Sequence, residues 1–199
     1  MCKQLLLASQ SPRRQALLAQ LGYKFTIVPA NIDETVQLDE APILYVERMA
    51  REKASYIASQ QSMSNFVVLG ADTTVVQNNI ILAKPRDLTD CLAILGQLSG
   101  NSHQVLTAIA ISDGQQVISE VISTQVSFKH LTDAEICRYW HTGEPQDKAG
   151  AYGIQGIGGQ FVRHITGSYS AVVGLPLYET AELLASFGIY SAVQQAQKE

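Results

Sequence analysis

Cysteine is scarce in this chain, with three among 199 residues: Cys2, Cys91 and Cys137, far apart and without a CxxC spacing. That excludes a disulfide framework and a structural zinc site and predicts a reducing compartment. Charge is thin as well. Asp, Glu, Lys and Arg supply 16% of residues and the net charge is −4, so no long-range field attracts polyanions. Nucleic acid and anionic membrane surfaces are therefore excluded as partners, and any phosphate binding must be local. The start, MCKQLLLASQSPRR, holds only a brief apolar run, too short for a signal peptide or a membrane span, which predicts a cytoplasmic protein. GxxxxGK[ST], GxGxxG after a strand, HExxH and GxSxG are all absent. Their absence removes four well-known phosphate, dinucleotide, zinc and serine chemistries.

What is present is enough apolar side chain, 46%, to build a core. The length fits a single domain over 1–199, or two lobes sharing a cleft. Gln4–Ala8 predicts a strand, and Ser11-Pro12 then opens a helix with a hydroxyl cap and a proline in its first turn. Phe25–Val28 predicts a second strand, 31–40 an acidic loop, and 42–60 a helix with Tyr45, Met49, Ala54 and Ile57 at helical spacing. The continuously apolar stretch 66–71 predicts a central strand, and Asn78-Asn79 a tight turn between two short strands. A helix over 88–98 follows. Asp113-Gly114 then predicts a hairpin joining 103–112 to 116–128. Helices are expected over 132–141 and 175–187. Between them, residues 143–174 carry eight of the fourteen glycines and read as a binding loop. The polar tail after Ser191 is expected to fray. Alternating strands and helices followed by a hairpin predict an α/β fold with a mixed sheet.

Several residues in this frame are suited to chemistry. Arg13 and Arg14 sit where the helix dipole disfavours cations, by about 0.3 to 1 kcal/mol each, unless a bound anion reverses the balance. Solvated surface arginines are an equal alternative. Lys53 lies on the apolar face of its helix with no acidic neighbour at helical spacing, so it either snorkels to the rim or meets an anion. On the same helix Glu47 with Arg51, and Arg48 with Glu52, are expected ion pairs. Asp72 follows the apolar strand and Gly70, a glycine that permits close backbone approach. Strand carboxyl ends gather ligands in α/β sheets, which suits Asp72 to metal binding or general-base work, and a turn aspartate is the alternative. Asp33 and Glu34 offer further oxygen donors for a hard cation. Lys84, fixed before Pro85, and Lys148, at the mouth of the glycine-rich loop, each read singly as exposed lysines. Together with Arg13, Arg14 and Lys53 they could neutralise a triphosphate. His103, His130, His141 and His164 are scattered and read as structural or surface residues, and Cys91 and Cys137 as buried apolar ones.

These pieces occur in one order: LASQSPRR from Leu7, ERMAREKA from Glu47, LGADT from Leu69, KPRD from Lys84, LSGNSHQV from Leu98 and GEPQDKAGAYGIQG from Gly143. GSY from Gly167, VGLP from Val173 and Glu179-Thr180 complete them. Across nearly the whole chain the set resembles the Maf nucleotide pyrophosphatases, and GADT with DKAGAYGIQG resembles the dTTP and UTP subgroup rather than the 7-methyl-GTP one. The resemblance implies a twisted mixed sheet flanked by helices, split into two lobes around a deep cleft, in a chain that forms a homodimer. It implies hydrolysis of nucleoside triphosphates, including modified pyrimidine nucleotides, to monophosphate and pyrophosphate with Mg²⁺ or Mn²⁺, keeping non-standard nucleotides out of nucleic acid. Asp72 would accept the proton, Arg13, Thr73 and Gln155 would tune base choice, and Ser9, Arg14, Glu34, Lys53, Lys84 and Lys148 would line the phosphate and metal site. A nucleotide-binding regulator of septum formation without turnover, and a phosphatase removing the terminal phosphate, are the rival readings.

Overall fold

The computed structural model describes residues 3–61 and 65–195, so Cys2 and the end of the polar tail lie outside the described residues. The elements run β1 (Gln4–Leu7), α1 (Pro12–Gln20), β2 (Phe25–Ile27), α2 (Pro42–Ser59), β3 (Phe66–Gln77), β4 (Ile80–Leu82) and α3 (Leu88–Leu98). They continue with β5 (Ser102–Ser112), β6 (Val117–Phe128), α4 (Asp133–Trp140), β7 (Val162–Thr166), α5 (Tyr169–Val173), α6 (Leu177–Ser186) and α7 (Ala192–Gln195). A seven-stranded sheet in the order β2-β1-β3-β5-β6-β7, with β4 on β3, carries the helices. β1 lies parallel to β2 and β3, whereas β3–β4 and β6–β7 are antiparallel, so the sheet is mixed.

The chain divides into two compact units. The first gathers the residues up to Asp72, Thr107–Ile122 and those from Gly174 onward. Its core uses the apolar runs of the parallel strands, with Leu7, Val67, Val68 and Leu69 at 0% exposure, against Leu18, Met49 and Ala54. The second holds Thr73–Leu106 and Ser123–Val173. Its core joins Leu95, Leu98, Val126 and Ile136 to edge-on aromatic pairs, Phe128–Tyr152 at 4.8 Å and Tyr139–Phe161 at 4.9 Å between centroids.

Local signals placed most elements. Ser11 caps α1 by accepting from the Arg14 N–H, and Thr132 with Glu135 forms a capping box at α4. Asn78 and Asn79 both take positive φ, as a tight turn requires, although β3 before them is a twelve-residue strand rather than a short one. Three differences stand out. The glycine-rich segment is not all loop: it contains β7 and α5, and the helix expected from 175 begins at Leu177. The tail expected to fray after Ser191 begins with α7. Glu47 and Arg51 do not pair with each other, because both hold the Ser119 hydroxyl, at 2.7 and 2.9 Å.

Candidate active site

Leu7 is in register with Leu69 at the end of the parallel pairing, so Ser9 and Asp72 both lie just beyond that pairing, Ser9 after the end of β1. Asp72 lies inside the long β3, short of its end. What makes it a site is the helix facing it. A Cβ on Gly70 would come within 2.3 Å of the Ala50 carbonyl oxygen and 2.7 Å of the Ala54 nitrogen, so only glycine lets β3 approach the α2 backbone so closely. On α2, Val46, Met49, Ala50, Ala54 and Ile57 face the core, and Lys53 occupies one of these inward positions with only 8% exposure.

The Lys53 ammonium does not snorkel. It lies 2.7 Å from Asp72 Oδ1 and 2.6 Å from Glu34 Oε1, with the Asp72 side chain 14% exposed. One cation thus gathers two carboxylates that are 38 residues apart by their numbers. The loop carrying Glu34 is fastened by α2 at Glu34 and beyond it: Tyr45 donates to the Glu34 carbonyl at 3.1 Å, and Arg48 donates to the Thr35 carbonyl at 3.0 Å and pairs with Glu40 at 2.6 Å. Arg48 also pairs with Glu52, as expected, at 3.3 Å. Asp33 is turned away from this cluster, its carboxylate accepting from the Thr35 N–H and hydroxyl at 2.9 and 2.6 Å.

Arg14 completes the charge arrangement. It donates from Nε to the Gly174 carbonyl at 2.9 Å and from Nη1 to Ser9 Oγ at 3.3 Å. Burial pulls its pKa below the ordinary value; Asp72 opposes that pull, Arg13 adds to it and Glu34 opposes it, so Arg14 shares a field with all three. Burial, then the charges of Asp72 and Glu34, push the Tyr45 hydroxyl up to about 12. The first unit therefore brings together Ser9, Arg14, Glu34, Lys53 and Asp72, with Arg13 half-buried beside Arg14.

In the second unit, Thr73 follows Asp72 along β3 and is half-buried. Lys84 is exposed, and the Gly150 N–H donates to the carbonyl of its neighbour Ala83 at 3.3 Å, tying the Lys84 loop to the turn after Lys148. The Lys148 ammonium pairs with Asp147 and donates to the Glu144 carbonyl at 3.1 Å. Gln155 is exposed at the far side of the same loop.

Glu144, overlooked in the sequence because it sits among turn residues, organises that loop. Its carboxylate accepts from Tyr139 Oη at 2.7 Å, the Ile157 N–H at 2.8 Å and the Gly158 N–H at 3.0 Å. Burial works to raise its pKa, but the donated hydrogen bonds of Gly158, Tyr139 and Ile157 outweigh that and hold it below the usual range. A Cβ on Gly156 would fall 2.2 Å from this carboxylate, which explains one of the glycines. His103 is structural, as its isolation suggested: buried, with Nε2 2.9 Å from Tyr152 Oη. Cys91 is fully buried and Cys137 half-buried, both free thiols.

The chain is thus a mixed α/β protein in which a loop, α2 and β3 bring together a carboxylate–lysine–carboxylate cluster. It belongs to the Maf-like protein family, which matches residues 4–187. A dTTP/UTP pyrophosphatase of Colwellia psychrerythraea is 56% identical over 96% of this chain and 92% of its own length. A dTTP/UTP pyrophosphatase of Vibrio cholerae is 51% identical over 92% and 97%. Among solved structures, a nucleoside-triphosphatase / dITP/XTP pyrophosphatase of Mycobacterium abscessus aligns over 92% of this chain and 98% of its own, at 16% identity and a TM-score of 0.46.

Proposed function

We propose that this chain hydrolyses nucleoside triphosphates, dTTP and UTP foremost and modified pyrimidine nucleotides with them, to the monophosphate and pyrophosphate. The observation that carries the proposal is the Lys53 ammonium held between Glu34 and Asp72, in the field of the half-buried Arg14. Relatives at 51 to 56% identity, named for that activity, support it.

In this reading a water attacks the α-phosphorus, the bond to the bridging oxygen breaks, and pyrophosphate leaves in line. Asp72 accepts the proton of that water. Its second carboxylate oxygen is available for this while Oδ1 stays with Lys53. Arg14 and Lys53 meet the charge that builds on the phosphoryl oxygens, with Arg13, Lys84 and Lys148 as further cations for the triphosphate. Ser9 orients Arg14. Thr73, Gln155 and Arg13 set base choice.

The residues fit a hard divalent cation. Among the described residues no three His, Cys, Asp or Glu side chains converge, so the protein's own donors are the two carboxylates gathered on Lys53. One or two carboxylates, with phosphate oxygens and water, is the set Mg²⁺ takes, and Mn²⁺ accepts the same oxygens. Glu34 and Asp72 would hold it, and it would supply Lewis-acid polarisation of the phosphate oxygens. A homodimer in a reducing cytoplasm belongs to the same proposal, resting on family membership and on the two free thiols.

Incubation with Mg²⁺ and a panel of dTTP, UTP, CTP, GTP, ATP, 5-methyl-UTP and 7-methyl-GTP, with products separated by anion exchange, tests this. Monophosphate and pyrophosphate from dTTP and UTP are expected. Orthophosphate with a diphosphate would replace the reading by a terminal phosphatase, and binding without turnover by a nucleotide-binding regulator.

A further inference from the structure

β7, the strand hidden in the glycine-rich segment, pairs with β6 through Gln125↔Thr166, Val126↔Ile165 and Ser127↔His164, and then slips to Phe128↔Val162. The slip leaves Arg163 as an extra residue with no partner of its own, a β-bulge. In a regular strand Arg163 and His164 would point to opposite faces. Here the bulge turns both into one pocket of about 320 Å³, which Ser102 and Ser127 also line and to which no carboxylate contributes. Neither side chain makes a hydrogen bond or ion pair with any described residue, in a protein where acids outnumber bases, 18 to 14. Ser102 and Ser127 lie side by side at 2.7 Å between hydroxyl oxygens. Since one hydrogen satisfies that contact, the other hydroxyl hydrogen is unspent.

We propose that this pocket binds a phosphate-class oxyanion. The Arg163 guanidinium supplies the planar fork, the His164 ring an N–H, and the serine pair a hydroxyl donor, and no charged acceptor lines the pocket to repel an anion. The bulge is the device that makes it, since a strand without the extra residue would present only one of the two donor side chains. This site is independent of the chemistry at Asp72.

Amide-resolved NMR on the full chain tests it, with inorganic phosphate, pyrophosphate and dTMP titrated separately against NaCl at matched ionic strength. Saturable shifts at Ser102, Ser127 and His164 are expected with phosphate or pyrophosphate, about tenfold weaker in Arg163→Gln, the size of one lost charged hydrogen bond. His164→Gln should weaken them less. Shifts at Ser9 and Arg14 report the other site and should be unchanged in both variants. Saturation by dTMP with none from free phosphate would assign the pocket to a nucleotide's phosphoryl group. Shifts reproduced by NaCl, or unaltered in Arg163→Gln, overturn the proposal.

Discussion

The two units hold polar groups in contrasting ways. In the first, charges are gathered by other charges: Lys53 binds Glu34 and Asp72, and Arg14 feels Asp72, Arg13 and Glu34. In the second, beside surface ion pairs such as Lys148 with Asp147, the carboxylate that organises the glycine-rich loop, Glu144, is wrapped by donors from a tyrosine and from the loop's backbone. A charge cluster responds strongly to a ligand's charge, because each member is one half of an exchangeable pair. A backbone-wrapped carboxylate fixes a loop's shape and has little left to offer a ligand. The first arrangement suits chemistry and the second suits support, so substitutions should separate activity from stability along that line.

The largest effect is expected at Asp72. Asp72→Asn should lower turnover on the order of a thousandfold while nucleotide affinity by calorimetry and the urea midpoint change little. A rate above about a tenth of wild type would take Asp72 out of the base role and blur the contrast. In the second unit, Glu144→Ala leaves the Tyr139 hydroxyl and the Gly158 N–H, both on buried residues, without their acceptor. Urea denaturation should show a loss of about 2 to 3 kcal/mol. A loss below about 1 kcal/mol would mean that water replaces the carboxylate, and the loop's shape would need another source.

The next effect lies in the second core. Burial brings the His103 imidazole down from 6.5 to about 4. As pH falls the unfolded chain therefore takes up its proton first, so the contribution to stability is whole above about 6.5 and is lost as pH drops toward about 4. Wild type should lose on the order of 2 kcal/mol more than His103→Gln between pH 7 and 4.5. Parallel pH curves for the two proteins would show that the ring is not carried neutral. The smallest effect is expected at Ser119→Ala. It removes the bridge between Glu47 and Arg51 but leaves those two free to pair at helical spacing, for a cost of about 0.5 kcal/mol or less. A larger cost would show that surface charges matter to the first unit as much as buried ones.

The sequence disclosed elements wherever the signal was local. Ser11-Pro12, Asn78-Asn79 and Asp113-Gly114 each act within four residues, and the structure honours all of them. β7 escaped because its alternation is weak, VRHIT among glycines, and its pairing depends on the distant β6. Lys53 illustrates the same limit at the site. An inward lysine without a helical acidic partner is visible in the sequence, but the choice between snorkelling and pairing is made by Glu34 and Asp72, which reach it from a loop and a strand. Glu144 was hidden for a similar reason, since its partners are main-chain N–H groups that every sequence possesses.

Gly70 has a consequence for how the chain can change over time. Side chains usually cushion a helix against a strand, and swapping one shifts the spacing by a fraction of an ångström. At Gly70 there is no cushion, and β3 rests on the main chain of α2 at Ala50 and Ala54. Main-chain atoms are the same in every variant. The gap that Lys53 spans to reach Asp72 is consequently set by a gauge that drift at Met49 or Ile57 cannot recalibrate, and the core around it is free to vary while the charge pair stays in place.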